Sequence, residues 1–580
     1  MATSTPNKTK RKSQQRTAVI RLLVMVAILI CVNLLAGRFH YGLDLTKEKR
    51  FTLSNATKRL LSGMKDVAVV EVYLEGGDFP AGFQRLRAST REKLQALREY
   101  SGGNLVFRFT DPVAGKGQQE KLKIYDQMAE KGMMAVNLQQ KGDEGYSEQY
   151  VMPYALVKYN GKEYPVKLLE TNPSLSAFDN LNYSEALLEY KIASAINKLQ
   201  YPVRTEIAYI MGHGESLGIH TFDLLTTLSM HYKVDTIDLS SSLQIPSYYK
   251  AIIVNKPTQP INDKDKFKID QYVMKGGRVL WAVDMLRTPM DSLQRNKQFI
   301  TTDYALNLDD QLFKYGVRIN TNLVEDMQQC LQMPVTVGES GGRPQFQLRP
   351  WIYFPFFVPS SSHPIVKNMD AVMGQFVNSI DTVANPEIKK TILLESSKYS
   401  RTTASPTRVS ISMLMYPPKA ELFNKPHQPV AVLLEGKFIS VFKNRLDPSF
   451  LITLRDSLHM AFKEEADSAT RMIVISDGDM LLNDYTQRTG PMEMGYWQFT
   501  GDRFANKEFI LNCLEYLTDN SGLIEARSKD VRLRLLDVAR AKKERTTWQV
   551  VNIGIPLALV LVFASAYIFF RKRKYAVKAK

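Results

Sequence analysis

Four successive residues, Gly212-His213-Gly214-Glu215, set an imidazole and a carboxylate two positions apart between glycines. An apolar, β-branched run precedes them (206–211) and an amphipathic stretch follows (around 222–231). That pattern predicts a turn that leaves the carboxyl end of a strand and opens a helix. Ligands bind at such ends in open α/β sheets, helix N-termini attract anions, and His with Glu can move protons. Two glycines also suit a tight turn in which His213 and Glu215 bond backbone groups. Gly212, His213, Gly214 and Glu215 are the candidate ligand-binding residues, with the structural turn as the competing reading.

No residue is assigned a catalytic role. A nucleophile on a strand-to-helix turn would read G-x-S-x-G or G-x-C-x-G, and neither occurs. The run 278–284 is followed by Met285-Leu286-Arg287, with no Ser or Cys at the bend. The seven histidines, at 40, 213, 220, 231, 363, 427 and 459, form no H-E-x-x-H and no close Cys/His cluster, so no metal and no cofactor are expected. Asp477 and Asp479 could ligate a cation, but an acidic turn after a strand accounts for them. The phosphate loop G-x-x-x-x-G-K-[ST] is missing, which excludes ATP hydrolysis of that kind. No C-x-x-C is present, which excludes thiol redox chemistry. Cys31 lies in an apolar run, and Cys330 and Cys513 could pair, although spacing alone does not decide it.

The elements that must carry these residues read as α/β. Strands are predicted at 67–74 and 105–109, helices at 85–100 and 118–131, and a hairpin at 154–167 around Asn160-Gly161. They make a small N-terminal α/β domain (44–170). A linking helix (180–200) is expected from Leu188, Ile192, Ala195, Ile196 and Leu199 on one face, with Ser184 as its N-cap. From 203 to 520 strands alternate with helices, which argues for a parallel, doubly wound sheet. Gly276-Gly277 ends one helix of that domain. Its stretch at about 300–470 is irregular and rich in turns. The aromatic run 351–357 is either a buried strand or an exposed docking patch. Residues 521–547 form a charged stalk, in which Val531, Leu533 and Leu535 alternate like a strand.

Two apolar segments, 17–37 and 548–570, are long enough to cross a bilayer. The first lacks a small-x-small cleavage pattern and reads as an uncleaved anchor. Basic tails flank both, at 1–16 and 571–580. Much of the net charge of +17 lies there, so the basicity is a topology signal, and no nucleic-acid partner is expected. Both termini are placed in the cytoplasm and residues 38–547 outside, in a bacterial periplasm. The mean hydropathy is slightly negative, as expected when most of the chain is water-facing.

Asp44-Leu45-Thr46 and Phe51-Thr52-Leu53-Ser54 follow the first span directly. Next in order come the Gly212–Glu215 loop, then Asp270-Gln271-Tyr272 leading to Gly276-Gly277-Arg278-Val279-Leu280. His363-Pro364-Ile365 and Ser476-Asp477-Gly478-Asp479 complete the series. Their order and spacing resemble ABC-transporter auxiliary proteins over nearly the whole chain. Ser528-Lys529 and Arg534-Leu535-Leu536-Asp537, before the last span, are similar to the gliding-associated members from Bacteroidota. The resemblance implies a non-enzymatic auxiliary subunit in the bacterial inner membrane. Its partners would be an ABC-2-type permease and a cytoplasmic ATPase, and its role would lie in gliding motility or the associated secretion machinery. The outer domains would contact cargo, permease loops or envelope proteins. The middle domain would be similar to the class I glutamine-amidotransferase fold without its catalytic cysteine. The alternative is a membrane-tethered periplasmic enzyme or ligand receptor using the Gly212–Glu215 loop.

Overall fold

A computed structural model describes residues 19–31, 33, 52–76, 79–142, 145–170, 176–201, 204–340, 343–457, 459–519, 521–528 and 542–575. The basic tail 1–16, Asp44-Leu45-Thr46, Phe51 and the alternation at 531–535 lie outside the described residues. The chain forms two compact units, Met1–Asp530 and Val531–Lys580.

In the first unit, Ser54 caps α1 (Asn55–Ser62) by accepting from the Thr57 N–H. β1 (Ala68–Val72) leads to α2 (Ala81–Tyr100), which buries Leu86, Thr90, Leu94 and Leu97 at helical spacing. β2 (Leu105–Phe109) pairs parallel with β1. After α3 (Gln118–Glu130) come two hairpins. One, β3 (Val136–Gly142) with β4 (Gly145–Val151), has no counterpart among the expected elements. The other joins β5 (Tyr154–Tyr159) to β6 (Lys162–Lys167) through Asn160-Gly161, both at positive φ as a two-residue hairpin turn requires. The sheet order is β2-β1-β5-β6.

α4 (Ala177–Gln200) starts earlier than the expected linking helix. Ser176 is its cap, accepting from the Asp179 N–H, whereas Ser184 is buried mid-helix and donates to the Asn180 carbonyl at 2.7 Å. Glu185 and Glu189 are buried too, because partners reach them from distant segments. Arg85 donates to Glu185 at 2.8 Å and Ser89 at 2.9 Å, and the Ser54 N–H donates to Glu189 at 2.7 Å. α4 also gathers the two ends of the folded body. Its Ala193 shares a buried cluster with Ala56 of α1 and Leu523, and its Leu187 and Tyr190 share another with Ala526.

The large sheet begins with β7 (Glu206–Met211), α5 (Phe222–His231), β8 (Lys233–Asp238), β9 (Ala251–Asn255), α6 (Asp263–Met274) and β10 (Val279–Ala282). The 300–470 stretch contributes β11 (Ile388–Glu395) and β12 (Pro429–Gly436), and β13 (Thr470–Ile475) follows. The order is β11-β12-β13-β10-β9-β7-β8. β8, β7, β9, β10 and β13 are parallel, and β12 and β11 extend the edge antiparallel. The parallel part therefore runs 2-1-3-4-5, with its switch point between β7 and β9. Both faces are covered, which is why these strands are continuous apolar runs. Ile207, Tyr209, Ile253 and Leu280 pack with Leu224 and Leu228 of α5 and with Phe509 and Leu514 of α7 (Asn506–Thr518). Ala208, Ile210, Ile252 and Trp281 pack on Ile269, Tyr272 and Val273 of α6.

Residues 351–357 lie in the second strand of a long hairpin, Cys330–Ser340 with Arg343–Phe357. Trp351, Tyr353 and Phe354 are each 1% exposed and interlock edge to face, so burial replaces the docking alternative for this run. Cys31, Cys330 and Cys513 are unpaired thiols, so the possible bridge does not form.

In the second unit, the helix Arg545–Tyr575 accommodates Pro556. Its segment Arg545–Arg573 is long and apolar enough to cross a membrane. Near the N-terminus, the described apolar helix is the shorter Val19–Cys31.

Candidate functional site at the carboxyl edge of the sheet

The Gly212–Glu215 loop leaves β7 beside the switch point. It does not open a helix directly. A loop and a 3-10 turn (Ile219–Thr221) intervene before α5 begins at Phe222. The reason is a network that draws the loop inward. Glu215 Oε2 accepts from the His213 N–H at 2.7 Å, and His213 Nε2 lies 3.1 Å from Asp265 Oδ2. The His213 carbonyl accepts from the N–H groups of Thr258 and Gln259, both at 2.9 Å. Gly214 is at φ +82°, and a Cβ there would lie 2.2 Å from Thr258 Oγ1. Asp265 is fixed in turn by Asn262 at 2.7 Å and Lys268 at 2.6 Å.

His213, Glu215 and Asp265 are all buried. Burial alone would lower the imidazole's pKa, but Glu215 and Asp265 outweigh it and hold the pKa above the ordinary value. The His213 ring, 3.1 Å from Asp265 Oδ2 and 3.5 Å from Glu215 Oε1, staples β7 to α6. Both ring nitrogens face carboxylates of the protein, Nε2 within hydrogen-bond distance and Nδ1 at 3.5 Å.

A second cluster forms where β9, β10 and β13 end side by side. The Lys256 N–H donates to the Ala282 carbonyl at 2.7 Å, and the Val283 N–H to the Ile475 carbonyl at 2.9 Å, so the three exits converge. Lys256 Nζ lies 3.0 Å from Asp284 Oδ2 and 2.5 Å from Asp479 Oδ1. Asp284 accepts from the Gly478 N–H at 2.6 Å. Asp477 accepts from the N–H groups of Gln375 at 2.7 Å and Asp479 at 2.8 Å. Carboxylate oxygens of Asp284, Asp477 and Asp479 lie within 4.8 Å of one another, a spacing that would suit a cation. The Lys256 ammonium already serves as that cation. Gly478 makes the approach possible, since a Cβ there would meet Lys256 Cβ at 2.5 Å.

Burial, then the charges of Asp284 and Asp479, push the Asp477 carboxyl well above its ordinary range. Burial also raises Asp284, against the pull of Lys256. For Lys256, burial acts downward, but Asp284, Asp479 and Asp477 outweigh it and raise its pKa. The cluster thus acts as an electrostatic clasp on three strand ends, and it holds a proton on Asp477 above the usual carboxyl range.

Asp265, Lys256 and Asp284 are absent from the candidates expected from sequence. One signal was available: Asp284 and Asp477 each follow an apolar strand run. Their meeting depends on β10 and β13 being neighbours.

Fold and site together define a mixed α/β protein with a helix of membrane-crossing length and closed ionic networks at its sheet edge. The family model described as "ABC-type uncharacterized transport system" matches residues 204–513, more than half of the chain, and the protein belongs to this family of ABC-transport auxiliary proteins. Residues 47–158 match a second model, a domain of unknown function. No curated protein matches. Among solved structures, the chain is 12% identical to the mmIFT52 N-terminal domain, with 54% of this chain and 98% of that one covered at a TM-score of 0.29. It is likewise 12% identical to the exo-beta-1,4-mannosidase Op5Man5 from Opitutaceae bacterium strain TAV5, covering 74% of this chain and 51% of that one at a TM-score of 0.17. The chain thus spans about half the length of the mannosidase.

Proposed function

We propose that the protein is a non-enzymatic auxiliary subunit of an ABC-2-type transporter, of the gliding-associated kind typified by GldG. Its partners are the permease and a cytoplasmic ATPase. The body between the two apolar segments is periplasmic, and it comprises a small N-terminal α/β domain and an amidotransferase-like domain that contact cargo, permease loops or envelope proteins. The family match over 204–513 carries this reading. The 2-1-3-4-5 sheet order supports the second domain, and the inward pairing of His213 and Lys256 supports a body that does no chemistry at its sheet edge. That pairing also weighs against the Gly212–Glu215 loop as a receptor for an outside ligand.

Purification of the tagged full chain in a mild detergent tests the partnership. A permease and an ATPase in stoichiometric amounts are expected. Repeated recovery of the chain without either defeats the proposal. Protease added to intact spheroplasts tests the topology: cleavage between the spans is expected, and protection of that region overturns it.

A further inference from the structure

A half-open cleft of about 940 Å3 lies between β6, α4, α5 and α7. That is the size of a small-molecule site. The acids that line it have partners, Asp519 through the N–H groups of Ser521 at 2.6 Å and Leu523 at 3.1 Å. Arg527 donates to Glu508 at 2.6 Å, Lys191 pairs with Glu170, and the Tyr190 hydroxyl donates to Glu515. Lys507, at its wall, pairs with Asp223 at 3.0 Å.

The mouth differs. Lys162, Lys198 and Arg204 line it, and none has a carboxylate within ion-pair distance among the described residues. Lys198 is held by an aromatic ring instead: its Nζ lies 3.2 Å from the Tyr164 hydroxyl and 5.0 Å from the ring centre. Arg204 spends one N–H on the Ser229 carbonyl at 2.7 Å, leaving most of its donors open. The charges bear on a neighbour. Burial, then the charges of Lys198 and Arg204, push the His231 pKa down to about 4. Like charges gathered at one opening without an ion-pair partner repel each other, and an anion placed among them relieves that repulsion. Tyr164 and Tyr201 add aromatic surface beside the charges.

We propose that this cleft binds a small ligand bearing a phosphate or carboxylate group, with the anion on Lys198 and Arg204 and an apolar body against Tyr164 and Tyr201. The inference goes beyond the auxiliary-subunit reading and does not depend on it. A soluble metabolite and a lipid headgroup share this chemistry.

The test is titration of the full chain, in nanodiscs of neutral lipid, with phenyl phosphate. Saturable binding tighter than about 1 mM is expected. The exposed pair K198A/R204A should weaken it at least about tenfold, since charge-assisted contacts are lost, while K198R should keep it. In the same double variant the His231 titration, followed by NMR, should rise from about 4. Weaker apparent binding in nanodiscs that contain phosphatidylglycerol assigns the site to a lipid headgroup, and unchanged binding assigns it to a soluble anion. No saturation by phenyl phosphate, or binding and a His231 titration untouched by K198A/R204A, overturns the proposal.

Discussion

Arg527 Nη2 donates to Glu508 Oε1 at 2.6 Å, which ties the last described turn of the body to α7. The same guanidinium donates to Asn512 at 2.8 Å and lies 5.1 Å above the Tyr190 ring of α4. Arg527 is buried. Substitution by Ala removes all three contacts at once and should cost about 3 kcal/mol. Glu508→Gln should cost less, because Glu508 is partly exposed and an amide can still accept. Urea unfolding of the full chain in detergent measures both, and equal losses would remove Arg527 as the hub.

Asp477 gives a pH signature. Its folded pKa is raised, so the native state binds the proton more tightly than the unfolded chain. Its contribution is full below the unfolded value near 3.8 and is lost as pH rises towards the folded value. The slope in that window should approach about 1.4 kcal/mol per pH unit. Asp477→Asn should flatten it, as read from urea midpoints across pH.

Lys256→Met leaves three carboxyls converging on no charge. The expected loss is about 3–5 kcal/mol, as for other broken buried pairs. Calorimetry of the variant should show it growing as pH rises and the aspartates ionise.

His213 has the same sign as Asp477 for a different reason. Its raised pKa makes its stabilisation complete below 6.5 and lost as pH rises through the folded value. Glu215→Gln removes one of the two anions responsible, so the midpoint followed by NMR should fall. A midpoint that stays put would show that Asp265 alone sets it.

Gly214→Ala should destabilise by about 1–3 kcal/mol, since φ +82° and a Cβ 2.2 Å from Thr258 Oγ1 both oppose it. Adding Thr258→Ala should recover the steric share only, which thermal melts can separate.

Much of the framework was legible because it is local. The run 206–211, the Asn160-Gly161 turn and the Gly276-Gly277 helix end each carry their own signal, and the strands and helix follow them. α4 starts before Ser184, the expected cap, because Ser176 takes the Asp179 N–H and the Ser184 hydroxyl turns back to the Asn180 carbonyl. β3 and β4 are mostly polar and lack an apolar alternation to betray them. Around the site, Gly212–Glu215 announced a turn, but the inward draw of Asp265 and the meeting of Lys256 with Asp284 and Asp479 come from strand order. Sequence proximity holds no trace of that.

Ala56, Ala193 and Leu523 share one cluster, and Arg59 Nη2 reaches the Ser521 carbonyl at 3.3 Å. The strand of chain coming in and the strand going out are thereby hitched to the same post. Load arriving at either end of the body is shared at α4 before it can reach the seven-stranded sheet.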